Sequence, residues 1–115
     1  MAARANLFKL ACQTTEDGTG ADEAYLNFNG GRIWGPVDIN DGQERRIDFA
    51  RNFTGQCTVD LFDEDSPDAD DWLGGIVITE SERGLGTRVQ AFTQDDAHYT
   101  IFYAVTEAII EPIAE

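Results

Sequence analysis

Positive charge is what this chain has least of. Eight lysines and arginines face 22 aspartates and glutamates, which leaves a net charge of −14 over 115 residues. Such a field excludes general nucleic-acid binding, which relies on basic residues releasing phosphate counterions. Anionic membranes would repel the chain until bound cations neutralised part of its surface. Long apolar runs are missing too, and none approaches the ~20 residues that cross a bilayer. Met1 to Leu10 has neither the apolar core nor the cleavage site of a signal peptide. That leaves the cytosol, export by another route or a leader removed beforehand, with an exported or extracellular setting favoured. Cysteine is scarce: Cys12 and Cys57 stand 45 residues apart on rows that read as inward-facing, and buried free thiols are preferred over a disulfide. The one histidine, His98, has no partner of metal or triad type. A nucleophile needs an oriented base beside it, so no catalytic residue is expected and the chain reads as non-enzymatic.

What is present is a period of two. Phe8, Leu10 and Cys12 alternate with Lys9 and Ala11; Ala24, Leu26 and Phe28 alternate with Tyr25 and Asn27. A short segment from Arg32 to Gly35 stops at Pro36, which cannot donate to a central ladder. Ile47, Phe49 and Phe53 share a face, as do Cys57, Val59 and Leu61. Further strands are expected over Trp72 to Thr79, Thr87 to Thr93 and Tyr99 to Thr106. Phe62, Phe92 and Phe102 fall on the outward rows. Eight short strands without an amphipathic helix define an all-β chain, and an eight-stranded antiparallel β-sandwich is the economical packing. Length allows one domain over 1–115, with its core at about 6–106 and a C-terminal extension over 107–115.

If successive strands run in opposite directions, every odd-to-even loop lies at one end. Those loops, residues 15–23, 36–44, 63–71 and 94–97, carry 15 of the 22 acidic residues. Solubility alone would spread the acids over both ends, so the segregation favours a site. The densest loop holds six carboxylates within nine positions: Asp63, Glu64, Asp65, Asp68, Asp70 and Asp71. Each close pair repels by roughly 4 kcal/mol at an effective dielectric near 20. A fold that keeps them together expects a cation, and ligands that are all oxygen favour a hard ion such as calcium. The bland alternative is a solvated acidic hairpin. Clustered carboxylates on a sandwich rim argue for a metal before they argue for sugar hydrolysis.

An EF-hand does not fit. Counted from Asp63, the sixth position is Asp68 instead of glycine, the twelfth is Gly74 instead of glutamate, and the flanks are strands. The spacing Asp63, Asp65, Asp71 followed by Trp72-Leu73-Gly74 resembles the third calcium-binding loop of C2 domains, the synaptotagmin-type calcium and phospholipid modules. Asp17 and, six residues on, Glu23-Ala24-Tyr25-Leu26 resemble the first loop of that family, with Asp22 as an extra carboxylate. The resemblance covers roughly residues 6–106. It implies a C2-like fold, one or two calcium ions, and a ligand set of Asp17, Asp22, Glu23, Asp63, Asp65 and Asp71. Asp38 and Asp41 sit where a turn ordinarily takes Asp and are read as non-ligands, and Asp95 and Asp96 as bystanders or groups behind the ligands. Calcium is therefore the expected partner, with a protein partner as a further option. Phospholipid docking is disfavoured, because the tip Ser66-Pro67-Asp68-Ala69-Asp70 has no large apolar or basic side chain and is poorly suited to insertion.

Overall fold

In the computed structural model, residues 2–16, 20–65 and 67–110 are described. Their strands are β1 (Ala2–Thr14), β2 (Asp22–Phe28), β3 (Gly31–Ile39), β4 (Glu44–Thr54), β5 (Gln56–Asp63), β6 (Asp71–Thr79), β7 (Arg88–Phe92) and β8 (His98–Glu107). One 3-10 turn, Glu80–Glu82, follows β6. Two four-stranded sheets form, ordered β4-β1-β8-β7 and β3-β2-β5-β6, and every strand pair is antiparallel. The inward rows meet in one apolar layer. Leu7, Leu10, Leu26, Val59, Leu61, Leu73, Ile78, Phe92, Tyr99 and Ile101 are all fully covered, and each aliphatic among them contributes about 1.5–3 kcal/mol by leaving water. Cys12 and Cys57 lie in this layer as free thiols.

Local chemistry explains the turns. Asn29 and Gly30 both take positive φ, 49° and 88°, the geometry that a two-residue hairpin between β2 and β3 demands. Asp95 and Asp96 do the same between β7 and β8, at 56° and 63°, and aspartate tolerates that region because its short polar side chain bonds locally.

Three details differ from the sequence reading. Phe8 does not join the inward row. The β1 register shifts between Leu7 and Lys9, so Ala3, Ala5 and Leu7 face in, Phe8 is 43% exposed, and the row resumes at Leu10. Phe92 does not face out: it is completely covered. The third strand does not end at Pro36 but continues to Ile39, because β3 is an edge strand, where a missing N–H costs no central ladder bond.

Side chains bridge the two sheets along both long sides. On one side Trp34 Nε1 donates to the Arg46 carbonyl at 3.0 Å and Arg45 Nε to that of Asp38 at 2.9 Å. On the other, Gln90 Nε2 donates to the Val77 carbonyl at 2.9 Å.

Candidate metal centre

The connections β1–β2, β3–β4, β5–β6 and β7–β8 converge on one end. Backbone bonds show it: Gly42 N donates to the Cys12 carbonyl, Glu64 N to that of Glu23, and Gln94 N to that of Leu73, at 2.8–2.9 Å. The acidic loops therefore share one rim.

A β-bulge sets the geometry there. β5 and β6 pair Leu61 with Gly74 but Phe62 with Trp72, so Leu73 is an extra residue in β6. In regular register Asp63 would face Trp72. The bulge instead places Asp71 opposite Asp63. Gly74 permits this: its φ is +136°, and a Cβ there would stand 3.1 Å from Phe92 Cα. Asp63 ends the inward row of Cys57, Val59 and Leu61 and is only 5% exposed.

One carboxylate oxygen from each of Glu16, Asp63, Asp65 and Asp71 lies within 4.8 Å of every other. Glu16 follows β1 in one sheet, whereas the three aspartates belong to β5, β6 and their connection in the other. The four are partly or fully buried, and Glu16 Oε2 is wholly covered. Calcium takes oxygens at 2.3–2.6 Å, so two ligands across one ion stand about 4.6–5.2 Å apart. The donor set is all oxygen, its span matches one such ion, and the group could hold a metal.

Of the residues expected from sequence, Asp63, Asp65 and Asp71 come together, and Asp17 lies outside the described residues. Asp22 and Glu23 are not in the group. Asp22 faces in, 2% exposed, and its Oδ2 accepts bonds from Tyr99 OH at 2.5 Å and Glu16 N at 3.0 Å. Glu23, next along the strand, has an exposed side chain and contributes its backbone N–H to Asp63 Oδ1 at 2.8 Å. Asp41 is a turn residue whose Oδ1 accepts Thr15 N at 2.8 Å. Glu16 is the member that spacing alone overlooked; its visible sign is its place in the first acidic loop, one residue before Asp17.

Around the group, Asp70 closes the β5–β6 connection. Its Oδ2 accepts Tyr25 OH at 2.5 Å and its Oδ1 accepts Asp65 N at 3.1 Å. These bonds, that of Tyr25 foremost, hold the Asp70 carboxyl below its ordinary value. The Tyr25 ring stacks on Phe62 at 5.1 Å, and the Arg32 guanidinium sits 3.8 Å from its centroid while reaching Glu64 at 3.6 Å. Trp72 is half exposed, anchored by its Nε1–H to Asp60 Oδ1 at 3.0 Å.

No protein-family model matches the chain, and no curated protein matches it in sequence. Solved structures do share its fold. A structure described as that of a C2 domain superposes with a TM-score of 0.59 at 13% identity, covering 90% of this chain and 97% of the other. The C2A domain of a plant extended synaptotagmin 1 gives 0.58 at 10% identity, with 96% of each chain covered. Calcium-bound extended synaptotagmin 2, C2A and C2B domains, gives 0.54 at 21% identity, with 90% of this chain and 44% of that one covered. This chain is thus an all-β, C2-like sandwich. C2 domains are generally non-enzymatic modules.

Proposed function

We propose that this C2-like sandwich is a non-enzymatic calcium-binding module, in which Ca2+ sits at the acidic rim and braces the β1–β2 and β5–β6 loops. One observation carries the reading: four carboxylates from both sheets bring an oxygen within 4.8 Å of one another. Glu16, Asp63, Asp65 and Asp71 would supply side-chain oxygens, and backbone carbonyls and water the remainder of the six to eight that calcium accepts. The ion relieves carboxylate repulsion and ties the sheets together at that end. Magnesium is a poorer occupant, because it demands octahedral ligands at 2.0–2.1 Å and sheds water reluctantly.

Calorimetric titration of chelator-stripped protein tests the reading. Saturable calcium binding at one or two sites, weakened by Asp63→Asn and Asp71→Asn, is the expected result. No heat of binding up to millimolar calcium would overturn it. Attachment to phospholipid is not part of the proposal, since the loop tip from Pro67 to Asp70 is exposed and acidic or small. Calcium-dependent pelleting with anionic vesicles would show that the module also docks to membranes.

A further inference from the structure

Three tyrosines each donate a 2.5 Å hydrogen bond to a carboxylate, and two of them do so beside the acidic rim. Tyr99, on β8, bonds Asp22 Oδ2, and the same oxygen accepts the backbone N–H of Glu16. Tyr25, on β2, bonds Asp70 Oδ2, and the other oxygen of Asp70 accepts the backbone N–H of Asp65. In both cases the chain of contacts is the same: a tyrosine on an inner strand, an aspartate outside the group of four, then the main chain of a residue inside it. One such chain starts from each sheet.

We infer that Tyr25 and Tyr99 are positioning residues for the proposed calcium site, each fixing through its aspartate one of the two loops that supply ligands. The inference rests on the calcium reading above. Without a cation, four clustered carboxylates push their loops apart, and a loop that must be gathered again on binding lowers the affinity of the site. A hydrogen bond from the loop's own backbone N–H to an aspartate that a tyrosine holds in place opposes that splaying before the ion arrives. Rigid surroundings favour it: Tyr99 is fully buried, and Tyr25 is held between its stack on Phe62 and Arg32. Burial first, then the facing carboxylate, raises both phenols, so both remain donors at neutral pH.

The third tyrosine supplies the control. Tyr103 OH donates to Glu82 Oε1, and Glu82 lies in the turn after β6, at the opposite end. Calcium and magnesium titrations of wild type, Tyr25→Phe, Tyr99→Phe and Tyr103→Phe decide the matter. Tyr25→Phe and Tyr99→Phe are expected to weaken calcium binding about 10- to 100-fold, the range typical of groups that orient metal ligands. They should also narrow the preference for calcium over magnesium, because a slack loop adapts to either ion; Tyr103→Phe should leave both unchanged. Tyr25, at the rim, keeps the test open should Tyr99→Phe fail to fold. If wild type binds calcium and Tyr25→Phe matches Tyr103→Phe in affinity and preference, the positioning role falls while the site stands. If wild type binds no calcium, site and role fall together.

Discussion

The two ends of the sandwich handle carboxylates in opposite ways. At the end bearing the turn after β6, acids are matched by bases and backbone donors. Glu82 accepts Arg88 Nε at 3.1 Å, Tyr103 OH at 2.5 Å and Thr79 N at 2.8 Å. Arg83 reaches Glu80 at 3.6 Å and Glu107 at 3.4 Å, and Gly55 N donates to Glu80. At the other end Arg32 pairs with Glu64 and Lys9 with Glu44, neither of which is one of the four gathered carboxylates. One end is a self-sufficient network. Its counterpart concentrates negative charge and secures its loops with tyrosine and main-chain donors, the arrangement on which the proposed cation site rests.

The largest expected contrast comes from the ion itself. At a hundredfold excess over Kd, calcium should stabilise wild type by about 2.7 kcal/mol, measured as a shift in chemical denaturation. Asp63→Asn or Asp71→Asn should erase that gain, whereas Glu82→Gln should preserve it. Loss of a calcium shift in Glu82→Gln would mean that the ends are not independent. Next, Glu82→Gln should itself destabilise the chain by roughly 1.5–3 kcal/mol, because a half-buried charged acceptor with three donors is weakened. Arg83 is largely covered and also donates to the Ala2 carbonyl at 3.2 Å, so Arg83→Ala should cost about 1–2 kcal/mol.

Acid should reach both ends. Asp70 is held below its ordinary 3.8, chiefly by Tyr25, and Glu80 below 4.5, chiefly by Gly55 N. In each case the unfolded chain binds the proton first. The stability they contribute is complete above those ordinary values and is lost as pH falls through the depressed ones. Asp70→Asn and Glu80→Gln should therefore each flatten the decline of stability below pH 4, followed by denaturation against pH.

The subtlest test uses the cysteines. Burial raises both thiols above 9.0, Cys57 to about 12. Cys12 feels Asp22 and Asp41, whereas Cys57 feels Glu82, so each reports on a different end. Calcium should slow alkylation of Cys12 more than that of Cys57 if the acidic rim opens locally. Equal slowing would show that both thiols are exposed by global unfolding.

Strand content was legible because half-buried strands carry a period of two, and all eight were visible in it. Positions lost at bulges were not. Phe8 and Leu73 are each one residue added to a strand, and no propensity marks which residue will be the extra one. Asp63, Asp65 and Asp71 could be read together because they belong to one strand–loop–strand unit. Glu16 could not, since its proximity to them depends on how one sheet lies over the other. The tyrosine contacts were hidden for the same reason, spanning 45 residues between Tyr25 and Asp70 and 77 between Tyr99 and Asp22.

The side chains that stitch the sheets together along their long sides carry a further consequence. A sandwich whose outermost strands stand open offers a template on which identical chains can add, the first step toward fibrils. Here β3 is fastened to β4, and β6 to β7, through Trp34, Arg45 and Gln90. Each border is partly tied down, which makes the folded chain a poorer seed for its own polymerisation.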